Sequence, residues 1–417
     1  RFGKLMTKNA IMKNYIVLIL FLFANMNGIN SQTIEGIHYA DGKPVRVKIS
    51  DGKIESVQRV EKLSEERNKL IVAPGFFDNQ VNGFAGVSFS FGGSDLTPEG
   101  IEKATSELWK KGVTTYLPTL TTNSQELLVK NFGVLAEVID HENLRGSIPG
   151  FHLEGPYINP EDGFRGAHPK QFVRPPDWNE FMEMVEAADN RILQVTVAPE
   201  MDGVQEFIKK CSSQGILVAV GHHNANKQQL DQAVLNGAKI STHLGNGCAN
   251  MINRHRNPLW PQLANDDLMI SIICDGFHLL PEEIKTFYAV KGPDRTIITS
   301  DVTSYAALEP GEYTTDTGEI IELTKDGMLR YPAQNVLYGS ASPITKGVGH
   351  IMEVTGCTLA EAVQMASTNP AKLYGLNDRG GLEPGKRADI ILFTLEDFQI
   401  NIKETWVKGK VVYEKKQ

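Results

Sequence analysis

Cysteine is scarce in this 417-residue chain, and its 42 basic residues are outnumbered by 50 acidic ones. The four cysteines form no C-x-x-C pair, which argues against a structural zinc knuckle and a dense disulfide framework. The formal net charge is −8, so an electropositive surface for nucleic acid is not expected. The remaining composition, 41% hydrophobic and 22% charged, is that of an ordinary globular protein with a large core.

The sequence also lacks an apolar run that could comfortably span a bilayer. The run at residues 16–24 is too short, so no stable membrane insertion of the mature chain is expected. Met12 and Lys13 precede this run and small or polar residues follow it, which predicts a leader segment over residues 1–31. A true signal peptide would imply a periplasmic or secreted protein. If the run is instead a buried strand or helix, the protein is cytoplasmic.

Eight short apolar runs recur through the middle of the chain, and most of them end in polar residues. In order they read LIVAPGFFDNQ, VTTYLPTLTT, SIPGFHLEG, ILQVTVAPE, ILVAVGHHN, KISTHLGN, LMISIICDGFH and TIITSDVT. Such runs are typical of strands buried on both faces, and helix-like segments lie between many of them. The pattern predicts an α/β fold, a (β/α)8 TIM-like barrel over residues 73–378, with its chemistry at the carboxyl ends of the strands.

The two ends of the chain have a different pattern. Residues 32–72 and 379–417 alternate apolar and polar side chains around Asp-Gly and Gly-containing turns, which is typical of hairpins. We expect the two flanks to pair into a small β-sandwich domain beside the barrel.

Four predicted strands end in residues that suit metal binding or acid–base catalysis. Glu154 ends the third run, His222 the fifth, His243 the sixth and Asp301 the eighth. A carboxylate with two imidazoles is a known catalytic zinc set that leaves one position for water. Asp301 could take a proton from that water and pass it to a leaving group. Each residue alone has a plainer interpretation as a packing residue or a helix cap, but four at one barrel mouth favour a metal site.

These residues lie in stretches that resemble the N-acetylglucosamine-6-phosphate deacetylases, a branch of the amidohydrolase superfamily. The matching stretches run from about residue 34 to the C-terminus and include PGFFDNQVNG, HLEGPYINPEDGFRGAH, GHHNA, STHLGN, ICDGFH, TSDVT and ASTNPAKLYGLNDRGGLEPGKRADIILF. The resemblance implies metal-dependent hydrolysis of the acetamide of N-acetylglucosamine 6-phosphate, or of a close N-acetylated amino sugar, to the free amino sugar and acetate.

The resemblance also implies how many metal ions the site holds. Gln80 and Asn82 stand where many metal-dependent hydrolases have a His-x-His pair, and amide side chains are poor zinc ligands. Members of the family with this Gln-x-Asn pair bind one metal through the residues that correspond to Glu154, His222 and His243. We therefore expect one divalent ion per chain, zinc, with the second metal position replaced by the two amides.

Further site residues follow from the resemblance. Asp301 corresponds to the catalytic base and His168 to the histidine that polarises the substrate carbonyl. Asn246 and Gly247 correspond to positions that contact the sugar. His278 and an arginine, for which Arg254 is the best-placed candidate and Arg256 is close by, correspond to a phosphate-binding pair, and that arginine reaches across a dimer interface. The resemblance thus implies a homodimer that acts on a small amino-sugar substrate.

Three alternatives stay open at this point. A true leader would place the enzyme away from sugar phosphates and favour an exported amidohydrolase for a non-phosphorylated N-acetyl sugar or an N-acyl amino acid. A cyclic-amide hydrolase is disfavoured, because the fourth strand ends in VAPE without the lysine that often bridges two metals in such enzymes. A non-catalytic binding protein is disfavoured because Glu154 and Asp301 are both present.

Overall fold

The computed structural model describes residues 31–91, 95–315, 318–333 and 336–416. The predicted leader, residues 1–31, lies outside these ranges except for its last residue. Within the described ranges, no helix combines the length and apolar character that crossing a membrane requires.

Eight parallel strands form the barrel that the sequence predicts. Consecutive strands are neighbours throughout the sheet, and each pair is parallel. A bridge between Val81 and Val302 joins the first strand to the segment after the last, so the sheet closes on itself. The strands are β1 Phe76–Val81, β2 Val113–Thr121, β3 Phe151–Glu154, β4 Ile192–Val197, β5 Leu217–Val220, β6 Ala238–Ser241, β7 Met269–Ile273 and β8 Thr296–Thr299.

Helices cover the outside of the barrel, which explains why its strands are apolar on both faces. Every residue of β1, for example, is buried. The α-helices are Pro98–Trp109, Gln125–Val138, Trp178–Ala187, Val204–Ser213, Lys227–Asn236, Leu259–Ala264, Pro281–Lys291, Ile344–Thr355, Leu359–Val363 and Asn369–Leu373, with a π-helical turn at Gln364–Thr368. Short 3-10 turns lie at Arg67–Lys69, Glu142–Leu144, Lys170–Phe172 and Pro293–Arg295.

Local sequence signals set the ends of these helices. The side chain of Thr97 caps the helix before β2 by accepting a hydrogen bond from Gly100 N at 3.1 Å. Asn226 and Gln229 form a reciprocal capping box at the start of the helix before β6. That helix ends at Gly237, whose φ of 119° lies in the left-handed region that glycine tolerates best.

The two flanks of the chain meet in one seven-stranded sheet. Ile71–Pro74 pairs parallel with Gln32–His38 and antiparallel with Ile390–Glu396, so it joins the N-terminal strands to the C-terminal ones. The sequence predicted a small β-sandwich from the two flanks, and the structure has a β-rich flanking domain built on this sheet. From one edge to the other the strands are Lys410–Glu414, Gln399–Val407, Ile390–Glu396, Ile71–Pro74, Gln32–His38, Pro44–Ser50 and Lys53–Arg59.

A small antiparallel sheet follows β8, and the sequence patterns did not predict it. We call it the mouth sheet, because several of its residues line the cavity at the carboxyl ends of the barrel strands. Its strands are Gly311–Thr314, Ile320–Leu323, Leu329–Tyr331 and Val336–Leu337. A two-stranded hairpin, Gly83–Phe84 and Val87–Ser88, follows β1.

Candidate active site

The four residues singled out at the strand ends converge on one cavity of about 970 Å3. Glu154 is the last residue of β3, whereas His222, His243 and Asp301 each lie two residues beyond the end of their strand. These three have φ values of 51°, 32° and 53°, so the chain turns through the left-handed region just as it leaves the sheet. Such backbone is uncommon outside glycine and clusters at functional sites.

The carboxylate of Glu154 and the two imidazoles are in direct contact. His243 Nε2 lies 2.8 Å from Glu154 Oε1, and His222 Nε2 lies 3.5 Å from the same oxygen. The two Nε2 atoms lie 3.2 Å from each other. All three residues are less than 10% exposed, so this polar cluster is shielded from bulk water.

The electrostatics of the cluster stabilise a charged carboxylate. Burial by itself would raise the pKa of Glu154, but the contacts with His222 and His243 hold that pKa well below its usual range. Burial would lower the pKa of His243, whereas its hydrogen bond to Glu154 raises the pKa above the ordinary histidine value. A cation that displaces the proton shared by Glu154 and His243 therefore meets one carboxylate charge and neutral imidazoles.

The donor set fits a divalent metal. His222 Nδ1 lies 2.9 Å from the carbonyl oxygen of Phe164, which fixes the proton on Nδ1 and leaves the Nε2 lone pair facing Glu154. Two neutral imidazoles with Nε2 atoms 3.2 Å apart need a proton or a cation between them. Ligand atoms of Glu154, His168 and His222 all lie within 4.8 Å of one another, and His243 contacts two of these three residues.

His168 adds a third imidazole at the edge of this cluster. Its Nε2 lies 3.2 Å from His222 Nε2 and 4.0 Å from Glu154 Oε2. Its Nδ1 lies 2.8 Å from the hydroxyl of Thr122, which can donate to it and so leave the ring proton on Nε2. Burial, with the neighbouring His222, lowers the pKa of His168 to about 3. The ring is therefore neutral at pH 7 and is a candidate N–H donor within the cavity.

Asp301 is held by the two amides that replace the His-x-His pair. Gln80 Nε2 and Asn82 Nδ2 donate to Asp301 Oδ1 at 2.8 and 2.7 Å. Among the described residues, Asp301 Oδ2 has no hydrogen-bond partner. Burial and the negative charge of Glu154 raise the pKa of Asp301, which makes it a stronger base than an exposed aspartate.

The loop after β6 brings Asn246 and Gly247 to the cavity wall. The side-chain Nδ2 of Asn246 is buried and has no partner among the described residues, so it is a donor available to a ligand. Gly247 has a φ of 61°, and a Cβ on it would lie 2.7 Å from His222 Nδ1. Any larger residue at position 247 would push His222 out of the cluster.

The two proposed phosphate ligands lie in different surroundings. His278 lines the cavity, and its Nδ1 lies 2.9 Å from Asp275 Oδ2. Burial would raise the pKa of Asp275, but hydrogen bonds from His278 lower it to about 2. Arg254 is exposed and is not among the residues that line the cavity of its own chain.

Sequence patterns missed several residues that organise this site. Thr122 sits just beyond β2 and holds His168, while the Phe164 carbonyl orients His222. Asp78 accepts hydrogen bonds from Thr299 Oγ1 and Ser300 N, both at 3.1 Å, and so ties β1 to the end of β8. A backbone carbonyl carries no side-chain signal, but a carboxylate within the apolar run of β1 could have been noticed.

Comparisons with known proteins agree with this arrangement. The amidohydrolase family profile matches residues 294–412. N-acetylglucosamine-6-phosphate deacetylase of Danio rerio is 33% identical over 356 residues, which cover 83% of this chain and 85% of that protein. The chain belongs to the N-acetylglucosamine-6-phosphate deacetylase family of amidohydrolases. It is therefore a hydrolase of C–N bonds.

Two further relatives cover most of the chain. N-acetylgalactosamine-6-phosphate deacetylase of Escherichia coli O157:H7 is 27% identical over 367 residues, which cover 88% of this chain and 94% of that protein. The crystal structure of N-acetylglucosamine-6-phosphate deacetylase from Thermotoga maritima superimposes with a TM-score of 0.80 at 29% identity, covering 92% of this chain and 100% of that one. The family therefore includes enzymes named for two different amino sugar phosphates.

Proposed function

We propose that this enzyme hydrolyses the acetamide of N-acetylglucosamine 6-phosphate, or of a close N-acetylated amino sugar phosphate, to the free amino sugar and acetate. The observation that carries the proposal is the buried contact among Glu154, His222 and His243, with Asp301 lining the same cavity. Relatives named for deacetylation of amino sugar phosphates support this substrate class.

Glu154, His222 and His243 would hold one divalent ion per chain, and zinc suits this set of one oxygen and two nitrogen donors. When bound, such an ion polarises a carbonyl and lowers the pKa of water to about 7. Gln80 and Asn82 use their N–H groups on Asp301, which supports a single ion, since amides engaged in this way do not supply the second-site ligands of a His-x-His pair.

Asp301 would move the proton that the reaction requires. It takes a proton from the attacking water as the water oxygen bonds to the acetamide carbon. It then delivers that proton to the sugar nitrogen as the C–N bond breaks, so acetate and the free amine leave. The raised pKa of Asp301 suits both roles, because the group must accept and then release the same proton.

Two donors would orient the substrate during this step. The neutral His168 would donate its Nε2–H to the acetamide oxygen, where negative charge develops in the transition state. Asn246, whose Nδ2 is buried without a partner among the described residues, would donate to the sugar ring or its hydroxyl groups. Gly247 provides the space that His222 needs.

The phosphate would be bound by His278 and by Arg254 from a second copy of the chain. Arg254 is exposed and does not line its own cavity, so it is free to reach another one. Its neighbours include Met251 and Trp260, which are 91% and 50% exposed. Exposed apolar side chains beside a candidate ligand-binding arginine support a homodimer interface here.

Acetate release from N-acetylglucosamine 6-phosphate and from N-acetylglucosamine, with and without a chelator, tests the proposal. We expect the phosphorylated sugar to be turned over faster, and we expect the chelator to abolish turnover until a divalent ion is added back. Equal or faster turnover of the unphosphorylated sugar would instead favour an exported enzyme for neutral N-acetyl sugars. Full activity in the presence of chelator would contradict the metal-dependent mechanism.

A further inference from the structure

One wall of the cavity consists of residues that have no role in the proposed function. The metal cluster, Asp301 and His278 lie at the ends of the barrel strands, whereas the mouth sheet lines a separate side of the same cavity. The cavity, at about 970 Å3, lies at the upper end of the roughly 300–1,000 Å3 that is usual for small-molecule sites. A single sugar phosphate is smaller than a drug-sized ligand, so this wall has room for more substrate.

Three tyrosines form a continuous aromatic surface on this wall. Tyr305, Tyr331 and Tyr338 all line the cavity. The ring of Tyr338 lies 6.2 Å from that of Tyr305 and 6.4 Å from that of Tyr331, in edge-to-face geometry in both pairs. Because neighbouring rings are nearly perpendicular, this half-buried cluster presents both aromatic faces and aromatic edges to the cavity.

Charged groups stand beside these rings. Arg330 donates to Glu322 Oε2 through Nε at 2.9 Å and Nη2 at 2.7 Å, and both side chains line the cavity. The two side chains are 50% and 33% exposed, so their outer atoms are accessible to a ligand. Rings that stack on C–H faces, with carboxylate and guanidinium groups that bind hydroxyls, are the chemistry that recognises a sugar ring.

From these contacts we infer that the mouth sheet forms a subsite for a second hexose ring joined to the N-acetylated one. Tyr305 follows Asp301 by only four residues, so the wall begins close to the acetamide that reacts. The carbon that bears the acetamide is next to the anomeric carbon. In this subsite, a second ring attached at the anomeric carbon would occupy the part of the cavity that Tyr331 and Arg330 line. This inference rests on the proposed function, because it assumes that Asp301 acts at the acetamide.

The test compares kcat/KM for N-acetylglucosamine 6-phosphate with kcat/KM for the same sugar linked through its anomeric carbon to glucose. Glucose carries no acetamide, so in both substrates any acetate that is released comes from the N-acetylated ring. We expect wild type to hydrolyse the disaccharide at least as efficiently as the monosaccharide. A disaccharide value below a tenth of the monosaccharide value would overturn the subsite.

Substitutions of residues that line the wall show whether the wall is responsible for the use of the disaccharide. Tyr331→Ala should lower the ratio of disaccharide to monosaccharide kcat/KM roughly three- to tenfold, the effect of losing one aromatic contact, and Tyr331→Phe should preserve it. Tyr413→Ala is the matched control, since Tyr413 lies in the flanking sheet and does not line the cavity. If Tyr331→Ala does not fold, Arg330→Gln provides the same comparison at an exposed side chain and should also lower the ratio. An unchanged ratio in the folded variants would contradict the subsite.

The outcomes separate this inference from the proposed function. If wild type releases acetate from neither sugar, the proposed function is wrong and the subsite is wrong with it. If wild type hydrolyses only the monosaccharide, the proposed function stands and the subsite alone is wrong.

Discussion

At the scale of single residues, the pair Gln80 and Asn82 acquires a specific role. Both side chains donate to the same oxygen of Asp301, and both bonds are shorter than 3 Å. Two donors on Oδ1 fix the rotation of the carboxylate and leave Oδ2 to exchange protons. Under the proposed function, the two amides orient the base at positions where many metal-dependent hydrolases have metal-binding histidines.

This geometry predicts the effect of Asp301→Asn. The asparagine oxygen can still accept from Gln80 and Asn82, so the shape of the site should be kept while the base is lost. We expect turnover to fall by on the order of 10²-fold or more, with little change in metal content. Steady-state kinetics with elemental analysis measures both quantities.

Glu154→Ala is the matched control for that experiment. It removes the charged ligand, so activity and metal should be lost together, whereas wild type should hold about one ion per chain. Two tightly held ions in wild type would show that Gln80 or Asn82 is a ligand after all. Near-normal turnover by Asp301→Asn would assign proton transfer to another group.

The sequence predicted the positions of the central residues but not how they are held. Glu154, His222 and His243 were visible because each follows an apolar run, and parallel strands bring such positions together. The contacts of Thr122 with His168 and of Phe164 with His222 depend on loops folding back over the mouth. Loop geometry is set by tertiary packing, so no local periodicity reports it.

At the scale of elements, Asp78 connects the first and last strands of the barrel. It is 1% exposed, and its carboxylate accepts hydrogen bonds from the Thr299 hydroxyl and from the backbone and hydroxyl of Ser300. Ser300 directly precedes Asp301, so the same carboxylate that closes the barrel positions the end of β8. Burial nevertheless raises the pKa of Asp78 from 3.8 to about 6.

Because the pKa of Asp78 is raised in the folded state, the contribution of Asp78 to the free energy of unfolding depends on pH. Its contribution to stability is fully present below about pH 4 and is lost as the pH rises through about 6. Asp78→Asn cannot titrate. The difference in unfolding free energy between wild type and this variant should therefore fall by on the order of 2–3 kcal/mol between pH 4 and pH 7.

Denaturant unfolding of the metal-free proteins across this pH range measures that difference. Removal of the metal prevents protonation of its ligands from dominating the result. Asp397→Asn, at an exposed turn, is the control for the Asp-to-Asn substitution itself. A difference between wild type and Asp78→Asn that stays constant with pH would show that Asp78 does not titrate in this range.

The barrel and the mouth sheet differ in how far sequence could predict them. Most residues of the barrel strands are buried, and the strands leave recurring apolar runs, so all eight were predicted. The strands of the mouth sheet have two to four residues, and each of the four contains at least one exposed residue. Such short strands form through contacts with the rest of the mouth, and their periodicity is too brief to detect.

At the scale of the whole molecule, the proposed phosphate site takes its two ligands from two copies of the chain. His278, the first proposed phosphate ligand, lines the cavity, whereas Arg254, the second, does not. If Arg254 serves the cavity of a second copy, each active site takes residues from both protomers. Removal of Arg254 alone should then weaken use of the phosphorylated sugar by roughly 1.5–3 kcal/mol, the value of a hydrogen bond to a charged group.

Mixing two defective proteins tests whether Arg254 acts across the interface. Arg254→Ala keeps a complete metal site, whereas Glu154→Ala loses the metal but keeps its arginine. In a mixed dimer, the intact site of one protomer would receive Arg254 from the other, so one of its two sites would be complete. If subunits exchange at random in an equal mixture, about half of the dimers are mixed, and about a quarter of all sites should hydrolyse N-acetylglucosamine 6-phosphate at the wild-type rate.

Co-refolding or co-expression of the two proteins, followed by acetate release at low substrate concentration, measures this recovery. Arg256→Ala in place of Arg254→Ala is the control, because Arg256 lies on the same exposed loop and should leave activity near that of wild type without mixing. If Arg254 acts within its own chain, the mixture should give no more than the Arg254→Ala rate diluted by the inactive partner. That result would exclude an active site shared between protomers through Arg254.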